Sequence, residues 1–195
     1  MTDFQSASGL DPLAALSPLD GRYGKDLDPL RPFFSEQALV ARRLRVELRY
    51  LQHLLPMLKQ ELSEPLAARI EDLLSESHLP ALVQAVKAHE AVTRHDVKAV
   101  EYALADALKP DFESAINWLH WGLTSEDINN LAYALMLTES YQQVLLPDLR
   151  ELLACFVRWI EQTAEMPMLA RTHGQAASPT TIGKEYAVYA QLHID

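Results

Sequence analysis

The sequence predicts an all-α fold. A small N-terminal helical domain spans residues 1–123, and the start of a long-helix bundle, incomplete within this sequence, spans residues 124–195. Three observations predict it. Apolar residues recur three and four apart through most of the chain. No strand-like alternation of any length is present. Breaks fall at Pro, Gly, Ser, Thr and Asp positions of the kind that start and stop helices.

Residues 1–34 are rich in Pro, Gly and Asp and read as turns. Within them, Ser17-Pro-Leu-Asp-Gly-Arg-Tyr-Gly24 sets Arg22 and Tyr23 on a tight loop, where a guanidinium and a phenol can clamp an anion or simply pack locally. Ser35 caps a helix over residues 35–55, with Leu44, Leu48, Leu51 and Leu55 as its apolar stripe and Pro56 as its stop. Arg42, Arg43, Arg45 and Arg49 read as a solvated face of that helix. A short helix follows over residues 63–77, capped by Ser63, and residues 81–89 continue in helical style. Val97, Val100, Leu104 and Leu108 predict a helix starting at His95 or Asp96. Pro110 and Asp111 open another short helix, which Gly122 ends, with Trp118, His120 and Trp121 as packing residues. Thr124 and Asp127 match a capping box. The helix after them carries Leu131, Leu135, Leu145, Leu149, Leu152, Phe156 and Trp159 in one register, with a kink expected at Pro147. After residues 165–167 a polar turn follows, and Ser178 and Pro179 read as the cap and first position of a last helix that runs to residue 195 with His193 inside it.

Composition narrows the function. An apolar share of 49% supplies a sizeable core, and 23% charged residues is ordinary for a soluble globular protein. A net charge of -10 argues against generic nucleic-acid binding. A single cysteine, Cys155, reads as a buried core thiol in a reducing compartment. No signal peptide is read in residues 1–8 and no apolar run is long enough to span a bilayer, so a cytoplasmic protein without a membrane partner is expected.

Four polar stretches interrupt the helices: residues 17–24, 93–98, 124–130 and 171–185. They gather Arg22, Arg94, Lys98, Arg171 and Lys184 as cations, His95 and His173 as titratable groups, and several hydroxyls. Arg94 and His95 lie at or just before a helix start, where N–H groups and the dipole attract anions, although an Arg-His-Asp run also reads as an elaborate cap. Thr124 and Ser125 stand at the positive end of a long helix, a natural carboxylate site or a cap. An acidic protein that places cations and helix starts in its loops is suited to a small polyanion. Motifs for zinc hydrolysis, phosphate cradling, dinucleotide binding and a nucleophile elbow are absent from the sequence.

Ser17-Pro-Leu-Asp-Gly-Arg-Tyr-Gly24, Arg94-His-Asp-Val-Lys-Ala-Val-Glu-Tyr102, Thr124-Ser-Glu-Asp-Ile-Asn-Asn130, Arg171-Thr-His-Gly-Gln175 and Thr181-Ile-Gly-Lys-Glu185 resemble, in order and spacing, the bacterial adenylosuccinate lyase family of the fumarase/aspartase superfamily. The resemblance runs from about Ala15 to the end. Ala176 departs from it, since Pro is usual after the Gly-Gln pair.

The resemblance implies a β-elimination in purine nucleotide biosynthesis. Adenylosuccinate yields AMP and fumarate, and the succinyl-aminoimidazole-carboxamide ribonucleotide yields fumarate likewise. His173 would be the general acid. Arg22 and Tyr23 would hold the phosphate region, Arg94, His95 and Asp96 would bind and orient the nucleotide, and Thr124 and Ser125 would take the succinyl carboxylate. No cofactor and no metal are implied, and a homotetramer is. The family's base, a serine on a signature loop, has no counterpart in these residues, so the chain reads as the N-terminal portion of a lyase, inactive alone. An argininosuccinate-lyase-like enzyme and a noncatalytic helical remnant that binds a nucleotide or a partner are the alternatives.

Overall fold

A computed structural model describes residues 13–192. The absence of a leader read in residues 1–8, and the placement of His193 in a helix running to residue 195, lie outside the described residues. The elements follow in order: a 3-10 turn (Asp28–Leu30), α1 (Arg31–Phe34), α2 (Glu36–Met57), α3 (Glu64–Leu73), α4 (Leu79–Thr93), α5 (Asp96–Leu108), α6 (Glu113–Ile116), α7 (Ser125–Ser140), a π-helical turn (Tyr141–Leu145), α8 (Leu146–Thr163), β1 (Pro167–Thr172), β2 (Gln175–Thr181) and α9 (Ile182–Leu192). Among the described residues no helix is long and apolar enough to cross a membrane. The chain forms two compact units, Met1–Glu139 and Ser140–Asp195. They divide later than residue 123 because α7 begins inside the first unit, where Ile128, Ala132 and Met136 are buried.

In the first unit α2 is the central helix. Ser35 caps it by accepting from the Ala38 N–H at 3.2 Å. Its stripe of Leu44, Leu48, Leu51 and Leu55 meets Ile70 and Leu73 of α3, Val83 and Val86 of α4, and Val100, Leu104 and Leu108 of α5 in one core cluster. Each such side chain contributes about 1.5–3 kcal/mol when fully buried. The helix does not stop before Pro56 but passes it by one residue to Met57. A proline this close to a helix end removes little, because the closing bonds come from beyond it. Lys59, in the left-handed region at φ 57°, donates its N–H to the Pro56 carbonyl at 3.0 Å, and Gln60 donates to the Leu55 carbonyl at 2.8 Å. Other boundaries also move: α3 stops at Leu73, α4 extends to Thr93, and α6 is a single turn.

In the second unit, the kink expected at Pro147 is met by the π-helical turn just ahead of it, whose last bond joins the Leu146 N–H to the Tyr141 carbonyl. The stripe of Leu145, Leu149, Leu152 and Trp159 stays exposed, with Phe156 and Tyr186 in aromatic contact beside Trp159. Cys155 is half-buried on α8, its thiol accepting from Arg158 at 2.8 Å, rather than sealed in a core.

The polar turn after α8 is a β-hairpin, which the helical reading of residues 178–195 misses. β1 and β2 are antiparallel, with Pro167 opposite Thr181 and Thr172 opposite Gln175. A bulge falls between Leu169 and Arg171 on β1 and their partners on β2. His173 and Gly174 form its two-residue loop with φ of 49° and 77°, the double positive φ that a primed hairpin turn requires. Pro179 pairs within the ladder opposite Leu169, and Thr181, not Ser178, caps the last helix by accepting from the Lys184 N–H at 3.2 Å. At the hairpin base the Ile182 N–H donates to the Met166 carbonyl at 3.0 Å. Gly183 lies so close to α8 that a Cβ there would stand 2.8 Å from Ala164 Cα and from the Ile160 carbonyl.

Gly183→Ala therefore drives a methyl into backbone and should destabilise the second unit by about 1–3 kcal/mol. Urea unfolding followed by circular dichroism measures this, and an unchanged midpoint contradicts the close approach.

Candidate functional site

The chain around residues 94–96 is where two helices meet. Arg94 ends α4 in the left-handed region at φ 53°, and His95 is the N-cap of α5. The His95 Nδ1 accepts from the Lys98 N–H at 3.2 Å, so the ring's remaining proton lies on Nε2. The cap reading of this run is thus correct as geometry, and it leaves Nε2–H free to donate. Arg94 is exposed, lines a shallow groove with Lys87, Glu90 and Ala91, and makes no ion pair among the described residues. Lys98 is not a spare cation, since its ammonium is held by both oxygens of Glu101 at 2.7 and 2.8 Å.

Asp96 is half-buried and pairs with α2. Its Oδ2 lies 2.7 Å from the Arg43 guanidinium. Burial pushes its carboxyl up, but the Val97 N–H and the Arg43 charge outweigh this and hold it below the usual aspartate value.

Residues 124–127 form half of the capping box expected: Asp127 reaches back to Thr124, while the Asp127 N–H goes to the Thr124 carbonyl and not to its hydroxyl. The Thr124 N–H and Oγ1 both donate to Asp127 Oδ2, at 2.7 and 2.9 Å. These bonds from Thr124, with a smaller pull from His120, hold the Asp127 carboxyl low. Thr124 thus spends its hydroxyl proton on Asp127, whereas the half-buried Ser125 hydroxyl makes no hydrogen bond among the described residues. The α7 N-terminus accordingly keeps one uncommitted hydroxyl for an incoming carboxylate.

These two stretches are brought together by α2. The Arg43 Nε donates to Asn129 Oδ1 at 2.9 Å while its NH2 binds Asp96, so a single buried guanidinium joins the start of α5 to the N-terminal part of α7. One turn further along α2, Val46 packs with Val97 and Ile128 in a small buried cluster. Then Glu47, 1% exposed, takes His120 Nδ1 at 2.5 Å, and the Tyr50 hydroxyl donates to the Trp121 carbonyl at 2.9 Å. Residues 43, 46, 47 and 50 share one helix face. The solvated-face reading of the α2 arginines holds for Arg49, which is exposed and pairs with Glu71, but not for Arg43, which is buried, while the half-buried Arg42 and Arg45 grip Glu139 at 2.6 and 2.8 Å. His120, expected only as a packing residue, is half of a buried pair. Arg43 and Glu47 are the residues that reading by stretches passes over, and Asn129, inside the stretch 124–130, is given no role there. For Arg43 and Glu47 the signal is an opposite-charge pair four apart, next to the apolar stripe of α2.

Arg22 and Tyr23 sit in the same unit on a separate loop. The guanidinium lies over the phenol ring at 5.6 Å, and both residues are exposed. Arg31 braces that loop by donating to the Gly24 carbonyl at 3.1 Å and to Asp20 Oδ1 at 3.5 Å. His173, in the second unit, is presented at the hairpin tip, exposed, with Arg171 reaching the Gly174 carbonyl at 3.5 Å.

Glu47 Oε2 is buried without a partner. Burial pushes the Glu47 carboxyl up, against the downward pull of the His120 hydrogen bond. Its folded state therefore holds a proton more tightly than the unfolded chain. The stability it contributes is fully present below the ordinary glutamate value of 4.5 and is lost as pH rises through the folded-state value. Glu47→Gln should remove this fall, giving a flatter stability profile from pH 4 upward. Urea midpoints across that range test it, and identical profiles contradict it.

A lyase family model matches residues 21–193. Adenylosuccinate lyase of Vibrio cholerae is 41% identical over 185 residues, covering 91% of this chain and 40% of the relative. The Escherichia coli K12 and Dictyostelium discoideum proteins of the same name are 40% and 39% identical, over 91% and 93% of this chain. The chain thus spans about 40% of the length of the curated relatives it matches. Among solved structures, a fumarate lyase from Mesorhizobium sp. BNC1 superposes with a TM-score of 0.65 at 20% identity, over 86% of this chain and 37% of that one. A β-carboxy-cis,cis-muconate cycloisomerase from Acinetobacter calcoaceticus gives 0.64 at 19%, over 85% and 38%. These two share the fold. With the family model matched over most of its residues, the chain belongs to the lyase family.

Proposed function

We propose that this chain is the N-terminal portion of a cytoplasmic adenylosuccinate lyase, a homotetramer when whole. It would release fumarate from adenylosuccinate to give AMP, and from the succinyl-aminoimidazole-carboxamide ribonucleotide. The observation that carries the reading is 39–41% identity, over nine-tenths of the chain, to curated proteins of that name. The local chemistry supports it. The elimination breaks a C–N bond after a base removes a proton beside a carboxylate, and the departing nitrogen takes a proton from an acid. Every step is a proton transfer or a bond cleavage that side chains can serve without a cofactor.

His173 is the acid in this reading. A hairpin tip with an exposed imidazole leaves the ring open to a substrate, and histidine can supply a proton near neutral pH. Arg94 and the His95 Nε2–H face the nucleotide, Asp96 orients that segment, and the Arg22 guanidinium and Tyr23 phenol hold the phosphate region. The succinyl carboxylate lies at the α7 start, where Ser125 has a hydroxyl to offer beside Thr124. The base lies outside these residues, so the reading assigns this chain the acid and part of the substrate surface.

His173→Ala in the full-length protein should lower kcat by about 10²–10⁴-fold while adenylosuccinate still binds. Steady-state kinetics and equilibrium binding test this together. Turnover within a few-fold of the parent protein removes His173 from the acid's place.

A further inference from the structure

We infer that Arg43 is a positioning residue, setting the starts of α5 and α7 against each other without touching substrate, and that Asp96 acts through Arg43 rather than on the ligand. This rests on the reading of residues 94–96 and 124–125 as the substrate-binding surface.

Three observations carry it. First, Arg43 is 4% exposed, and its guanidinium spans two acceptors on two different helices, Asp96 Oδ2 at 2.7 Å and Asn129 Oδ1 at 2.9 Å. A guanidinium is planar and its donors diverge at fixed angles, so holding both acceptors fixes the distance and twist between the two helix starts. Second, both acceptors are themselves fixed. Asp96 is in the first turn of α5, and the Asn129 amide donates to Glu126 Oε1 at 3.2 Å, which leaves its oxygen toward Arg43. Third, the proposed substrate carries a phosphate and carboxylates, and an ionised Asp96 is an acceptor that repels them. Its charge is matched by Arg43 on the side away from solvent. Below this bridge, Val46, Val97 and Ile128 pack the same two helices against α2 with apolar groups.

The consequence is a coupling. Moving either end of the bridge displaces Arg94 and His95 relative to Thr124 and Ser125, and both surfaces lose their grip on one ligand together. Removing the second end after the first changes nothing further, because the link is already broken.

A double-mutant cycle in the full-length protein tests this, using Arg43→Met, Asp96→Asn and the double variant, with AMP as the equilibrium-binding probe and Arg94→Ala as reference. Each single variant should weaken AMP binding about tenfold, and the double variant also about tenfold rather than about a hundredfold. Arg43→Lys keeps the charge but cannot span both acceptors, so it should fall between the parent protein and Arg43→Met. Where Arg43→Met fails to fold, the Arg43→Lys and Asp96→Asn cycle is read in the same way. A multiplicative cycle shows Asp96 contacting ligand on its own and overturns the inference. So does parent-like AMP affinity in a folded Arg43 variant whose melting temperature has dropped. Unchanged affinity in Arg94→Ala instead defeats the substrate-surface reading, and the inference falls with it.

Discussion

A guanidinium taken out of water must find acceptors for its donors and its charge, or it will not stay there. Arg43 meets that constraint with one carboxylate and one amide, from helices that are far apart in sequence. The starts of α5 and α7 are therefore tied to the middle of α2, whose opposite face is buried in the leucine core. The rigidity of that core passes through one helix to the residues a ligand would meet. Glu47 repeats the arrangement one turn on, with His120 as its partner and one oxygen left unpaired.

The second unit solves a different problem, which is to present one imidazole at a fixed place outside a helix. A two-residue hairpin turn does so with little chain. Histidine tolerates the left-handed backbone better than most residues, and Gly174 meets the same demand at no steric cost. The hairpin is anchored at its base, where Gly183 lets α9 approach α8 closely and Met166 accepts from Ile182. His173 is thus exposed without resting on a long free loop.

Much of the helical framework is legible in the sequence because its signals are local. Ser35 and Ser63 are caps by their own hydroxyls, and the Thr124–Asp127 bond closes within four residues. The leucine stripe of α2 announces its own face. What stays hidden depends on partners far along the chain. Arg43 reads like its exposed neighbour Arg49 until α5 and α7 arrive to cover it. The hairpin is hidden for another reason. Ser178-Pro179 is a strong helix-start signal, but it sits after a His-Gly turn and before a run of β-branched residues, and ladder pairing outweighs the local cap. The Lys98 ammonium, counted as available from sequence, is taken by a glutamate one turn away.

In the proposed function, α2 holds two helix starts as one binding surface. The most direct measurement is a crystal structure of the full-length protein with AMP and fumarate bound. The account predicts a carboxylate at the α7 N-terminus within hydrogen-bond distance of Ser125, and the nucleotide against Arg94 and His95. Arg43 should still lie between Asp96 and Asn129 and touch neither ligand. A ligand bound away from both helix starts, or Arg43 swung out to meet it, would contradict the account.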